Sequence, residues 1–258
     1  MRAIRDFKRY FNYAAFSAVS ELKTQVADSY LGWLWWILDP LLFMFVYAFI
    51  TTYIFGSNVD NIWLFVFAGL TIWNFFSATV ASSVGVIRSY AAVIIKAYIP
   101  KIMLVFMVEM VNFVKMLISL GICLISAAVL GLDVWPYILN IIPVLVTLVI
   151  FTYGVALISA FIGVYIADFS NVMSVILRFL FYMSGVFYTL DRFSEGLLSI
   201  YNMICPTGFL IVQFRNALML ALNADYMRMG YWICIGVVFI VIGANLLYRK
   251  ENEYMKVI

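Results

Sequence analysis

Residues 63–87 read WLFVFAGLTIWNFFSATVASSVGVI and contain no Asp, Glu, Lys or Arg. A helix of this length rises about 37 Å, which exceeds the ~30 Å hydrocarbon core of a bilayer. The stretch therefore predicts a membrane-spanning helix. Similar apolar stretches recur on both sides of it and predict five further spans, at residues 31–55, 103–130, 137–167, 171–188 and 232–248.

The composition supports a membrane protein throughout. Hydrophobic residues make up 66% of the 258 and charged residues 11%, whereas soluble domains average roughly 45–50% and about 25%. The chain has no histidine, and its three cysteines are widely spaced, so neither a metal site nor a disulfide framework is indicated. We predict one all-α polytopic membrane domain of six transmembrane helices, with no catalytic residues and no metal ligands.

Residues 1–30 precede the first span and predict an amphipathic helix. An apolar stripe lies along one side, with Arg5, Lys8 and Arg9 facing away from it; the stripe consists of Ile4, Phe7, Phe11, Ala14, Ala18 and Leu22. This pattern predicts an interface helix on the membrane surface, with its basic face toward anionic headgroups. An ordinary amphipathic helix packed on protein is the alternative.

The first span contains the pair Asp39–Pro40. Proline fits the first turn of a helix and aspartate is a good N-cap, so the pair predicts a helix that restarts inside the membrane. Within the region 31–188, which holds spans one to five, no other span carries this pair.

Residues 189–230 are too polar for one span and too hydrophobic for a free loop. Two short apolar helices are predicted there, separated by residues 205–208, which read CPTG. We interpret them as an external re-entrant helical hairpin between span five and span six, which covers residues 231–248.

Lys and Arg counts in the connections predict the orientation. One side receives three, Arg192, Arg215 and Arg228. The other receives eleven, which are Arg2, Arg5, Lys8, Arg9, Lys23, Arg88, Lys96, Lys101, Arg249, Lys250 and Lys256. Both ends, including the tail 249–258, are therefore predicted to be cytoplasmic.

Four charged residues fall within the spans, where insertion costs roughly 2.5–3.5 kcal/mol each. Asp39, Glu109 and Arg178 lie at similar depths, on the order of 9–12 Å from the cytoplasmic ends, and predict an intramembrane ion pair of Arg178 with either acid. Lys115 lies deeper, with no acid at a matching depth. It snorkels, finds another partner or faces a hydrated pathway.

Aromatic residues make up 18% of the chain. Aromatic rings stack on sugars as well as on lipids, so some of them are candidates for lining a glycan path, together with Lys115. Lipid-facing or core positions are the alternative for each. The candidates are Trp33, Trp36, Tyr47, Trp73, Phe76, Lys115 and Tyr182.

No G-x-x-x-x-G-K-[ST] phosphate loop occurs, so the chain cannot hydrolyse nucleotides by that route. Uphill transport would need a partner chain or an ion gradient. At the cytoplasmic entrance, the basic side chains of Arg88, Lys96 and Lys101 could attract a diphosphate headgroup or serve only as topology signals.

Three motifs resemble a known family. Residues 30–42 read YLGWLWWILDPLL, residues 94–101 read IIKAYIPK, and Asn202 to Pro206 is followed by Arg215. In their order, these resemble the permease subunits of ABC exporters for polysaccharides, O-antigens and teichoic acids. The resemblance covers almost the whole chain.

The resemblance implies a homodimer that works with two copies of a separate ABC ATPase, which would bind ATP and Mg, so that this chain holds no cofactor. It implies a lipid-linked glycan as substrate, membrane lipids but no nucleic acid as partners, and the cytoplasmic membrane of a bacterium or archaeon. Asn202, Pro206 and Arg215 would form an external gate. A coupling helix would dock on the ATPase through Tyr90, Ile95, Lys96, Tyr98, Pro100 and Lys101.

Two other readings stay open at this point. A permease for a drug or a small lipid would use the same fold. A membrane-embedded transferase or a channel would belong to another class, although no catalytic constellation supports the former and the latter would not need a coupling segment.

Overall fold

The structure is a computed structural model that describes residues 2–27, 30–54, 56, 61–96, 98–132, 137–166, 168–190 and 194–250. These residues form ten α-helices and no strand. In chain order the helices are α1 Arg2–Ala27, α2 Trp35–Phe49, α3 Ile62–Ser89, α4 Ala91–Lys96, α5 Lys101–Val129, α6 Ile141–Tyr165, α7 Phe169–Met183, α8 Glu195–Ile204, α9 Pro206–Leu218 and α10 Tyr226–Arg249.

Five helical segments of the described chain are long and apolar enough to cross a membrane. They are Gly32–Ile54, Ile62–Ser89, Lys101–Val129, Ile138–Tyr165 and Tyr226–Arg249. The first combines α2 with a short 3-10 turn before it and a π-helical turn after it. The predicted all-α polytopic fold is confirmed.

The fifth predicted span is shorter than expected. It was predicted over residues 171–188, but α7 ends at Met183 and has 15 residues, which span about 22 Å. Gly185 follows with a φ of 70°, a left-handed conformation that favours glycine. The helix stops there because the carbonyls of Gly185 and Val186 accept hydrogen bonds from Arg215 instead of continuing the helix.

The predicted restart at Asp39–Pro40 is wrong. Pro40 lies inside α2, which begins at Trp35, and Asp39 is exposed. The 3-10 turn Gly32–Leu34, closed by the Leu34 amide bonded to the Leu31 carbonyl at 2.9 Å, already starts the helix. Asp39 therefore does not cap a helix, and its exposed carboxylate is available for another interaction.

Helix α3 forms the centre of the domain. Most of its side chains are buried, and it packs against α2, α5, α6, α7 and α9. Glycines allow the closest approaches: a Cβ on Gly163 of α6 would collide with the Val84 carbonyl of α3, and one on Gly154 would meet the Gly236 carbonyl of α10 at 2.8 Å. Small residues at helix contacts are typical of membrane bundles.

Helix α1 packs on protein with the stripe that was expected to enter the membrane surface. Ala14 and Ala18 are buried, and the ring of Phe7 lies 4.8 Å from that of Phe106 on α5. At the start of α1, Asp6 accepts a hydrogen bond of 2.9 Å from the Tyr248 hydroxyl of α10. The apolar stripe therefore follows the alternative given above, an ordinary amphipathic helix packed on protein.

Helices α8 and α9 form the hairpin predicted between the last two spans. They meet at an angle of 111°, with Cys205 at the break and Pro206 as the first residue of α9. Proline is tolerated at this position because the first amide of a helix needs no intrahelical acceptor. Helix α9 then inserts among α3, α5 and α6 with most of its side chains buried.

Candidate transport cavity and docking surface

A cavity of about 740 Å³ lies between α2, α3, α5 and α7. Its wall combines two tryptophans, one acid, one lysine and several amides and hydroxyls with apolar side chains. The polar and aromatic lining residues are Trp35, Trp36, Asp39, Phe43, Thr71, Asn74, Phe75, Ser77, Asn112, Lys115, Ser119 and Ser174. Such a mixture in the middle of apolar helices is typical of a ligand site between the helices of a bundle.

The polar part of the wall comes from two helix stripes. On α3, Asn74 is exposed to the cavity although the residues around it in the helix are buried. On α5, the Asn112 amide donates to the Val108 carbonyl at 3.1 Å, which holds the side chain along its own helix. Both stripes face the same space. The cavity can therefore hold water or bind a polar group within the membrane.

Lys115 lies between this cavity and a smaller one. Its Nζ is 5.7 Å from the centroid of the Trp36 ring, within cation–π distance. The smaller cavity, of about 200 Å³, is lined by both Lys115 and Asn112 and by Glu21 of α1 and Tyr90 at the end of α3. Lys115 and Asn112 therefore line both cavities.

Tyr90 and Glu21 contact each other in the wall of the smaller cavity. The Tyr90 hydroxyl donates to a Glu21 carboxylate oxygen at 3.4 Å. Partial burial, together with the negative charge of Glu21, raises the pKa of Tyr90. The phenol therefore stays protonated and keeps donating to Glu21.

The remaining glycan-path candidates do not line the cavity. Trp73 and Phe76 are buried in the core, where Trp73 packs 5.3 Å from Phe181. Tyr47 is half-buried between aromatic rings, whereas Trp33 and Tyr182 are exposed on the surface of the chain. Of the predicted set, the structure brings only Trp36 and Lys115 together at one site.

The predicted intramembrane ion pair is absent from the described chain. Glu109 is 3% exposed, and one of its carboxylate oxygens has no hydrogen-bond partner. Arg178 and Asp39 are both exposed. A similar predicted depth does not bring the two charges together. Glu109 points inward from α5, into a groove of otherwise apolar side chains, while Arg178 points outward from α7.

Helix α4 presents an exposed surface between α3 and α5. We call it the docking surface, and it consists of Val93, Ile95, Lys96 and Tyr98. Ile95 is 66% and Tyr98 49% exposed, and Val93 and Lys96 beside them are exposed as well. A mixed apolar and basic surface of this kind fits a protein partner.

Three predicted docking residues face inward instead. Lys101 is 7% exposed, with its Nζ 5.7 Å from the Tyr98 ring, and Pro100 is buried. Tyr90 is engaged with Glu21 on α1. These residues support the docking surface from below rather than belonging to it, because α5 begins at Lys101 and turns it into the bundle.

The predicted basic cluster at the entrance is also dispersed. Arg88 donates to the Val164 carbonyl at 2.7 Å and ties the end of α3 to the end of α6. Lys101 is buried, and only Lys96 is exposed. On α1, by contrast, Arg5, Lys8 and Arg9 are all exposed, as expected for the basic face.

Arg215 joins the hairpin to the bundle. Its guanidinium is 4% exposed and donates to the carbonyls of Phe65 at 3.0 Å, Gly185 at 2.8 Å and Val186 at 2.7 Å. It also lies 3.4 Å from the centroid of the Phe65 ring. The fixed fork of an arginine suits three separate carbonyls, so this residue holds α9, α3 and the loop after α7 in one arrangement.

The other two predicted gate residues lie close to the bend. Asn202 is buried, and its backbone carbonyl accepts a 3.1 Å hydrogen bond from the Trp232 indole of α10. Its side-chain oxygen has no hydrogen-bond partner among the described residues. Pro206 begins α9.

Sequence reasoning missed most of the cavity's polar wall. Thr71, Asn74 and Ser77 recur along α3, and Asn112 and Ser119 flank Lys115 on α5. The signal was present: polar residues spaced by three or four positions in an apolar helix share one face. Such a stripe marks the side of a span that avoids lipid.

Three relatives are similar to this chain over most of its length. An O-antigen export system permease protein RfbA of Klebsiella pneumoniae is 25% identical over 247 residues, 92% of each chain, and a second from the same organism is 24% identical over 242 residues, again 92% of each. One from Myxococcus xanthus is 29% identical over 196 residues, 76% of this chain and 75% of its own. No protein-family model matches the chain. The likenesses confirm the resemblance that the sequence motifs indicated.

Proposed function

We propose that this chain is the membrane-spanning permease subunit of an ATP-driven exporter that moves a lipid-linked polysaccharide across the cytoplasmic membrane. The likeness to O-antigen export permeases, which covers 92% of the chain, supports a role in export. The observation that carries the proposal is the cavity of about 740 Å³, whose wall offers tryptophan rings and hydrogen-bonding groups together. A sugar needs both, since its C–H faces stack on rings and its hydroxyls need partners.

The ATP-hydrolysing component is a separate ABC ATPase in this proposal. The docking surface would receive it, because Ile95 and Tyr98 expose apolar area that a soluble partner can cover, with Lys96 beside them. Burial of such anchors supplies most of the affinity of a protein interface. The exposed basic residues of α1 lie beside this surface, since the rings of Tyr10 and Tyr98 are 6.3 Å apart.

A second copy of the chain completes the transporter. Asp39 on α2 and Arg178 on α7 are exposed on two helices that flank the cavity, at a depth where an exposed charge is costly. In a two-fold dimer the same patch meets itself, so each charge can face the opposite charge of the partner. The pairing that the single chain lacks would then form between copies.

Both ends of the chain are cytoplasmic in this arrangement, and the hairpin α8–α9 lies on the outer side. The distribution of eleven and three basic residues supports it. The docking surface and the basic face of α1 would then share the cytoplasmic side. The hairpin, held by Arg215, would close the outer end of the path.

The test is co-purification of the chain with the candidate ABC ATPases of its own organism, followed by ATPase assays with lipid-linked glycan. Ile95→Glu with Tyr98→Ala should abolish the complex, because they remove the apolar anchors. Val129→Glu is the matched control, since Val129 is 81% exposed at the opposite end of α5. A complex that survives the double substitution, or an ATPase that never binds the wild type, would overturn the proposal.

A further inference from the structure

Lys115 is the cation that the two polar cavities share, and it lies deep in α5. It is about four turns beyond Lys101, where the helix begins, so it lies roughly 21 Å along the axis. A lysine at such a depth is costly to insert into a membrane. The cation–π contact with the Trp36 ring offsets only part of this cost.

No carboxylate within the described residues lies at ion-pair distance from Lys115. Glu21 is the acid that lines the smaller cavity with it. Glu21 is held from its other side by the Tyr90 hydroxyl. The ammonium therefore has a distant counter-ion and space for a closer one.

We propose that Lys115 binds the phosphate group of the lipid-linked substrate, and that Glu21 is the counter-ion which this phosphate displaces. The assignment rests on the proposed export function and extends it to one subsite. An ammonium with three donors binds phosphate as a point charge. Asn112, which lines both cavities, supplies a further polar group beside it.

The surroundings match the three parts of such a substrate. Trp35 and Trp36 lie on one side of the phosphate position and can stack on the first sugar. Phe43, Met116 and Leu177 give the cavity an apolar side for the lipid chain. Lys115 also lines the smaller cavity, so the phosphate is held at the end of the large cavity that adjoins it.

Glu21 connects this subsite to the docking surface. It belongs to α1, whose Tyr10 ring lies 6.3 Å from that of Tyr98. A shift of α1 that brings Glu21 closer to Lys115 would weaken phosphate binding, and a shift away would strengthen it. Movement of a partner at Tyr98 can in this way control release of the substrate.

The experiment measures binding to the chain in lipid nanodiscs, co-purified with its ATPase, with three probes: a polyprenyl diphosphate, the corresponding polyprenol and inorganic pyrophosphate. Lys115→Met should weaken polyprenyl diphosphate binding at least tenfold and leave polyprenol binding unchanged. Lys115→Arg should retain most of the affinity, and Glu21→Gln should tighten binding several-fold. Lys250→Met, an exposed lysine at the end of α10, is the charge-matched control and should change neither.

Equal affinity of the wild type and Lys115→Met for polyprenyl diphosphate would overturn the proposal, as would weaker binding in Glu21→Gln. Inorganic pyrophosphate that binds as tightly as the lipid would mean a free-phosphate site and would overturn the lipid assignment. If the ATPase still co-purifies but the Lys115 and Glu21 variants do not change polyprenyl diphosphate binding as expected, the phosphate subsite is refuted and the exporter function stands. Loss of the ATPase from the wild type would instead remove the proposed function itself.

Discussion

Replacement of Arg215 by methionine should release the α8–α9 hairpin without unfolding the bundle. The guanidinium donates to three buried carbonyls, on α3 and on the loop after α7. Hydrogen bonds from a charged donor contribute roughly 1.5–3 kcal/mol each, but removal of the buried charge also ends its desolvation penalty. We expect a net loss of about 3 kcal/mol, confined to the attachment of α9.

The native cysteines provide the assay. Cys205 lies buried at the break of the hairpin, Cys123 is buried in α5, and Cys234 is exposed on α10. In a Cys234→Ser background, maleimide labelling of Cys205 reports opening of the hairpin, while Cys123 reports unfolding of the bundle. Since 1.4 kcal/mol is a factor of ten in an equilibrium, Arg215→Met should raise the Cys205 rate by about 100-fold and leave Cys123 unchanged.

Two variants calibrate the effect. Arg215→Lys keeps the charge, but one ammonium cannot reach three carbonyls in different directions, so the Cys205 rate should be intermediate. Arg249→Met removes an exposed arginine at the end of α10, away from the hairpin, and it should have almost no effect. Wild-type labelling of Cys205 in Arg215→Met would refute the argument that this residue holds the hairpin.

Two further predictions concern packing. Gly69→Ala should loosen the hairpin by about 1–3 kcal/mol, because its Cβ would lie 2.5 Å from a terminal nitrogen of Arg215, whereas Gly85→Ala meets nothing within 4 Å and should be neutral in the same labelling assay. Phe7→Ala and Phe106→Ala should show a coupling of about 0.5–1.5 kcal/mol in a double-mutant cycle on thermal stability, since their rings meet edge to face; additive effects would mean that α1 does not dock there.

The positions of the helices could be predicted from the sequence because hydropathy depends on composition and length alone. Span boundaries agree within a few residues for α3 and α5, and Cys205–Pro206 located the bend of the hairpin. The end of α7 could not be predicted, because it depends on Arg215, which is 30 residues away from the carbonyl of Gly185 that it binds. Long-range hydrogen bonds of this kind leave no local pattern.

Side-chain partners were harder to predict than helices. The sequence gives the depth of a residue in the membrane, but each residue turns its helix by about 100°, so depth alone does not say which side chains meet. Glu109 and Arg178 share a depth and face different ways. Lys101 reads as part of a basic loop, yet it is the first residue of α5 and points into the core.

The open side of the cavity gives the strongest argument for a second copy within the proposed transporter. α2 and α7 form this side, and much of their surface is exposed. Apolar exposure alone fits lipid, but Asp39 and Arg178 on the same helices do not, because hydrocarbon offers neither a partner. A soluble ATPase does not reach this depth, and a lipid-linked substrate occupies the cavity only in passing. In the proposed dimer, the second copy would supply an opposite charge for each of these residues, and its surface would complete the cavity wall.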